Sequence, residues 1–306
     1  MKSRLKTPVI FVIFNRPETT ERVFEKIREV RPQKLLVIAD APRPDRPDDV
    51  EKCAATRAII DRVDWECEVL TNYSEVNLGA GKRPATGFDW AFGLVEEAII
   101  LEDDCLPEIS FFQFCEELLE RYRHDQRIMC ISGQNVQFGK NKTPYSYYFS
   151  RYNHGWGWAT WRRAWQHFDF NMKLWPEVKE QNLLASVLET PKGLKNWNTI
   201  FQQTYEGKLP AWDYQFTFAC WVQNGLSILS DVNLISNIGF GAGASNTMDS
   251  TSPYNNAATE PVKFPLKHPP YVIRNKVADA YTENTLFDYN PNLLKRVKRK
   301  VRKVLS

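Results

Sequence analysis

The sequence predicts an α/β fold: a mostly parallel sheet flanked by helices, with a less regular second half. Three observations carry this. Short apolar runs rich in β-branched residues alternate with segments of helical periodicity through the first half of the chain. Two of those runs stop at acids, Asp40 and Glu102-Asp103-Asp104, and ligands of open α/β sheets bind outside such carboxyl ends. The 306 residues, 43% hydrophobic and 25% charged, are enough for a full core, which excludes a disordered or disulfide-stapled chain.

Val9 to Phe14 is a continuous β-branched and aromatic run, the pattern of a strand buried on both faces. A helix follows over 19–30, with Val23, Ile27 and Val30 at helical spacing. Leu35 to Ala39 is a second strand, and Pro42, Pro44 and Pro47 make the loop after it. Asp48 caps a helix carrying Val50, Cys53, Ala54, Ile60 and Val63. Glu68 to Thr71 is a third strand. Asn77 to Arg83 reads as a glycine-containing turn, and Pro84 opens a helix with Phe88, Ala91, Phe92 and Val95 on one face. Ala98 to Leu101 is a fourth strand, running straight into the three acids.

The second half is predicted as a helix over 111–122, a strand over 128–131, a Tyr-rich stretch from Tyr145 to Tyr152, and the segment Gly155-Trp-Gly-Trp-Ala-Thr-Trp161. Helices are expected over 183–188, 194–205 and 212–222, and short strands over 226–229 and 232–235. Residues 250–270 are polar and contain proline, as in a surface excursion.

The formal net charge is +3, but Asn292 to Ser306 holds seven basic residues and no acid, which leaves −4 for the rest. A nucleic-acid binder would need a basic face on the body, so nucleic acid is not an expected partner. None of the six cysteines has CxxC spacing, which excludes a zinc ribbon or a thioredoxin-type motif and points to free thiols. The apolar run at Val9 to Phe14 is too short for a secretory signal, and no run approaches the length of a membrane span. A cytoplasmic location is expected.

Glu102-Asp103-Asp104 is the sharpest chemical signal. Two like charges about 4 Å apart at an effective dielectric near 20 repel by about 4 kcal/mol. A bound cation relieves that, and all-oxygen ligands favour Mn2+ or Mg2+ held by one or two carboxylates plus substrate phosphates. The alternative is a solvated acidic cap before the next helix. Asp40 is either a base-binding carboxylate or a turn residue, and Arg16 either a ligand contact or a surface residue before Pro17. Leu78-Gly-Ala-Gly-Lys-Arg83 lacks the ending of a phosphate-binding P-loop, although Lys82 or Arg83 could still reach a phosphate. Gly155-Trp156-Gly157-Trp158 sets two positions without side chains beside two indoles on which a sugar could lie, or else forms a core corner with Trp161 and Trp165. Asp213 is either a helix-dipole acid or a general base. His154 and His167 are too isolated for a metal site.

Seven landmarks in one order resemble the GT-A-fold glycosyltransferases, especially bacterial family-2-like nucleotide-diphospho-sugar transferases and N-acetylglucosaminyltransferase I. They are Asn15-Arg16 after the first strand, Asp40 after the second, Asn77 to Gly81, the acidic triplet, Gly155 to Trp158, Trp212-Asp213, and Gly239-Phe-Gly241. The resemblance covers roughly residues 8–247. It implies a GT-A-type nucleotide-binding sheet with an irregular acceptor-side half. That is one catalytic domain over 1–290, divided into a nucleotide half over about 8–135 and an acceptor half over 136–290.

The resemblance also implies roles. Asp104 would touch the metal. Glu102 and Asp103 would bond ribose, sugar or a basic side chain, and Asp40 would accept from a uracil N–H. Asn15, Arg16, Arg83, Gly157, Trp158 and Ser245 would border the nucleotide sugar. Asp213 would be the general base of an inverting transfer, with Glu206 and Asp169 next in line. Relatives often carry histidine where Asn246 stands, so Ser245 and backbone N–H groups would supply the phosphate contact here. The implied activity is a metal-dependent transfer from a UDP-sugar or similar donor to a glycan or lipid-linked glycan hydroxyl in cell-surface polysaccharide synthesis. A sugar nucleotidyltransferase is the alternative, although Phe14 to Glu18 lacks the glycine-rich loop of that class; a non-catalytic glycan- or nucleotide-binding module is another.

The tail over 291–306 spaces Leu293, Leu294, Val297, Val301, Val304 and Leu305 along one helical face among its basic residues. Such a helix lies on an anionic membrane surface, so peripheral attachment to the inner face of the membrane is expected.

Overall fold

A computed structural model of the chain describes residues 4–209, 211–240 and 252–287. In order, the elements are β1 (Val9–Ile13), α1 (Pro17–Val30), β2 (Lys34–Ala39), α2 (Asp48–Ala58), β3 (Glu68–Tyr73), α3 (Gly79–Leu94), β4 (Glu97–Glu102), β5 (Cys105–Pro107), α4 (Ser110–Tyr122) and β6 (Ile128–Ser132). Then come β7 (Tyr147–Ser150), β8 (Trp158–Trp161), α5 (Arg162–Trp165), α6 (Trp175–Glu180), α7 (Pro191–Tyr205), α8 (Asp213–Val222), β9 (Leu226–Ser230), β10 (Ile235–Asn237) and α9 (Lys276–Thr285).

Eight strands form one sheet in the order β3-β2-β1-β4-β8-β6-β9-β7. β3, β2, β1 and β4 run parallel, β8 runs against β4 and β6, β9 is parallel to β6, and β7 closes the far edge antiparallel to β9. The expected mixed α/β class with a mostly parallel, helix-flanked sheet is what the chain forms. Side chains alternate across β1 and β2, so each strand feeds two apolar layers. Val9, Phe11, Leu35 and Val37 pack with Phe24 of α1 and Phe114 and Leu118 of α4. Ile10, Leu36 and Ile38 pack with Phe88 and Phe92 of α3 and with Trp158, Trp165 and Trp212.

β1 has β2 on one side and β4 on the other, so chain connections diverge there. The crevice at that switch point is where open α/β sheets take ligands. It is bordered by Phe14 to Arg16 after β1 and by the acidic triplet at the end of β4. A second, two-stranded sheet pairs β5 with β10, with Asn237 opposite Cys105, and so brings the chain after Asn237 alongside the acids.

Several boundaries differ from expectation. α3 begins at Gly79, five residues before Pro84, so most of the expected glycine turn is helix. The Asp40 carboxylate accepts the N–H groups of Leu78 (2.9 Å) and Gly79 (2.8 Å), satisfying donors that a helix start leaves open. α1 begins at Pro17, whose missing N–H costs nothing at a first helical position. Residues 183–188 form only a short 3-10 turn, Leu183–Ser186. The strand expected over 232–235 shifts to β10, because the Asn233 side chain accepts from Asn135 N–H and donates to Ile235 C=O, bending the chain before pairing starts.

Candidate active site

Glu102 is the last residue of β4, paired in register with Val12 of β1, and Asp103 and Asp104 turn the chain into β5. Four contacts fix this turn. Phe14 N–H donates to Asp103 Oδ2 at 2.9 Å. Arg16 Nη1 lies 2.5 Å from Asp104 Oδ2 and 3.5 Å from Asp103 Oδ1. Ile238 N–H donates to the Asp104 carbonyl at 2.8 Å. Gly239 lies so close that a Cβ there would stand 2.1 Å from Asp104 Oδ2. Only glycine allows that approach.

Asp103 and Asp104 are buried and Glu102 is half-buried. Burial holds the Glu102 carboxyl above the ordinary range, and Asp104, Asp103 and Asp213 add repulsion that Arg16 only partly offsets. Asp103 is raised for the same first reason, with Arg16 pulling against it. Burial and mutual repulsion thus favour the neutral forms of Glu102 and Asp103, and a divalent cation bound beside them would favour the ionised forms. Among the described residues, no group of three or more His, Cys, Asp or Glu is arranged to hold a metal alone. Carboxylates alone therefore form no closed protein cage among the described residues.

Asp213 is the first residue of α8. Its Oδ1 is buried and has no hydrogen-bond partner among the described residues. Burial raises its pKa, while the N–H groups of Asp213 and Tyr214 pull the other way. Its charge is one of the causes that raise Glu102, so the two carboxyls lie within electrostatic range of each other. Trp212 is clamped by stacking on Trp158, 5.2 Å between centroids, which fixes the start of α8. On the other side lies Gly155, where a Cβ would sit 4.0 Å from Asp213 Cβ.

The other expected contacts are placed differently. Asn15 donates to Asp49 Oδ1 (2.6 Å), and Asp49, also held by Arg43, is lowered to about 2, first by that guanidinium. Asp40 is corrected to a helix-capping residue: N–H groups of Ala41, Leu78 and Gly79 already use its carboxylate. Arg83 does not point to a phosphate. It is buried, with Nε on the Ala39 carbonyl (3.1 Å) and Nη2 on the Asn72 carbonyl (2.5 Å), tying β2 to β3. Trp158 is 1% exposed among Phe88, Trp165, Trp212 and Phe216, so it offers no face to a sugar. Gly157 has φ +60°, and a Cβ there would meet Ile235 Cδ1 at 2.3 Å; its bareness serves β10 rather than a ligand.

Trp156 is the half-buried indole of the pair, edge-on to Phe240 at 5.6 Å. Ser245 and the tail over 291–306 lie outside the described residues. Glu206 bonds Lys208 and Gln202, and Asp169 accepts N–H groups of Asn171 and Lys173, so both are occupied locally. Sequence reasoning missed Asp49, whose side chain organises Asn15 and Arg43 beside Phe14; the only signal was a second acid after Asp48.

No family model matches the chain, and no curated protein does. Among solved structures, it is similar to a mannosyltransferase from Pyrobaculum calidifontis in complex with GDP-Man and Mn2+, at 12% identity and TM-score 0.40, covering 72% of this chain and 70% of that one. It is also similar to a UDP-glucose pyrophosphorylase complexed with UDP-glucose, at 8% identity and TM-score 0.38, covering 74% and 90%. A third likeness is to an inositol-1-phosphate CTP transferase from T. maritima, at 8% identity and TM-score 0.35, covering 74% and 85%.

Proposed function

We propose that this protein is an inverting glycosyltransferase that takes a sugar from a nucleotide-diphosphate donor, with a UDP-sugar as first choice. The observation that supports the reading is the acidic triplet Glu102, Asp103 and Asp104 at the switch point of the sheet, within electrostatic range of Asp213, one of whose oxygens has no partner among the described residues.

Arg16 holds Asp104 and Asp103 in place and supplies one positive charge beside the leaving diphosphate. A divalent cation, Mn2+ or Mg2+, would be held by Asp104 and donor oxygens, and when bound it supplies further charge neutralisation. Asp213 takes the proton of the acceptor hydroxyl. The acceptor oxygen bonds to the anomeric carbon as the bond from that carbon to the diphosphate oxygen breaks, and the nucleoside diphosphate departs. Attack opposite the leaving group inverts the anomeric centre. The acceptor in this reading is a glycan or lipid-linked glycan of cell-surface polysaccharide, with the tail over 291–306 attaching the protein to the membrane that carries it.

The test is turnover of UDP- and GDP-sugars with mixed glycan acceptors, followed by NMR of the product anomer. Inverted product is expected, and Asp213→Asn should lower kcat about 10²- to 10⁴-fold with little change in donor affinity. Retained configuration, or near-normal kcat in the variant, contradicts the assigned base. Release of pyrophosphate from a nucleoside triphosphate and a sugar phosphate would identify a nucleotidyltransferase instead.

A further inference from the structure

Beside β7, at the edge of the sheet, lies a cavity of about 240 Å³. It is walled by the rings of Tyr145 and Tyr271, with Thr143, Arg274 and Asn275 between them and the fully buried Tyr147 behind. The rings of Tyr145 and Tyr271 meet at 89° with centroids 5.9 Å apart, making an aromatic corner. Tyr147 is fixed from behind, its hydroxyl bonded to Tyr122 (2.7 Å) and His268 Nδ1 (3.0 Å). Asn275 N–H donates to Phe149 C=O at 2.8 Å, which holds the strap carrying Tyr271 against the edge strand.

The polar groups on these walls are selective. Asn275 uses its Oδ1 to cap α9 through Ala278 N–H, and among the described residues its NH2 group bonds nothing. The hydroxyls of Tyr145 and Tyr271 likewise have no partner there. Arg274 is committed to ion pairs with Glu189 and Asp279, which Arg151 and Lys276 share. Crossed aromatic faces with neutral donors and acceptors between them suit a sugar ring, whose C–H patches lie on arenes while its hydroxyls bond amides and phenols. The volume of about 240 Å³ is enough for a single sugar ring, and the cavity is open to solvent on one side.

Its position relates it to the acids. Tyr147 lies opposite Ser230 at the end of β9, Leu229 opposite Ser132, Ser132 opposite Trp158, and Trp158 opposite Ile100, two residues before Glu102. The cavity therefore stands at the same end of the sheet as the acidic triplet. Four strand spacings of about 4.8 Å separate β4 from β7, roughly 19 Å. That is the reach of a short oligosaccharide.

We propose that this cavity is a remote sugar subsite, holding a distal unit of an oligosaccharide acceptor whose reacting end lies at Asp213. The word acceptor rests on the transferase reading, whereas sugar binding at β7 does not.

The test is saturation-transfer NMR with titration of maltotetraose, cellotetraose, N-acetylchitotetraose and mannotetraose into the full chain. At least one tetraose should bind wild type and Asp104→Asn alike. It should bind at least tenfold more weakly to the double variant Tyr145→Ala/Tyr271→Ala and to Asn275→Asp, which keeps the α9 cap but loses the amide donor. If no tetraose binds wild type, or both cavity variants bind like wild type, the subsite is wrong. Binding lost in Asp104→Asn would place the sugar at the acids and also overturn it. Failure of the transferase reading has a separate signature: tetraose binding persists without any Mn2+-dependent binding of UDP.

Discussion

At the scale of single residues, burial decides which polar groups are chemically poised. His154 is 3% exposed, its Nε2 has no partner among the described residues, and burial alone lowers its pKa to about 4. The unfolded chain takes up this proton near pH 6.5 and the folded chain does not. The stability His154 confers is therefore complete above pH 6.5 and is lost as pH falls toward 4, by about 3 kcal/mol. Urea unfolding of wild type and His154→Asn between pH 7.5 and 4.5 should show a steeper decline in wild type; parallel curves would contradict a buried neutral imidazole. The place of the acidic triplet at the end of β4 and of Asp213 at the start of α8 was legible in the sequence, because consecutive acids at a strand end and an acid at a helix start are local patterns. Trp158, Gly157, Asp40 and Arg83 were misread because each serves a distant element. Nothing near Gly157 in the chain announces Ile235, and nothing near Asp40 announces the N–H groups of Leu78 and Gly79.

Elements set the geometry of the site through a few such long-range contacts. The pairing of β5 with β10 needs Gly157, because Ile235 occupies the space of its missing side chain. Gly157→Ala should destabilise the fold by about 1–3 kcal/mol, from overpacking and a left-handed backbone. Ile235→Val, which removes Cδ1, should return part of that loss in the double variant. A double-mutant cycle by urea unfolding checks this, and strict additivity would contradict the contact. The first four parallel strands could be read from their apolar runs, with boundaries within a few residues of those observed. α3 could not, because Pro84 looks like a helix start, and a capping carboxylate 38 residues away decides the true one. The pairing of β10 was hidden for a similar reason: side-chain bonds of Asn233 bend the preceding residues out of line.

For the whole molecule, one continuous sheet joins strands from both halves of the sequence and sets the acids at the end of β4 and the β7 edge along its length. No helix among the described residues is long and apolar enough to cross a membrane. In the proposed account, attachment falls to the seven basic residues of the tail, each worth about 1 kcal/mol near an anionic surface before screening. Co-sedimentation with anionic vesicles should pull down the full chain and leave a chain ending at Pro291 in solution, with binding lost in high salt; equal partitioning of the two chains would remove the membrane role. The central claim is that Glu102, Asp103 and Asp104 at the end of β4 bind a nucleoside diphosphate together with a divalent cation. Calorimetric titration of UDP with Mn2+ or EDTA, into wild type and Asp104→Asn, tests it most directly. The account predicts binding to wild type in Mn2+, with at least a tenfold loss in EDTA or in the variant; equal affinity under all of these conditions, or no UDP binding to wild type, would contradict it.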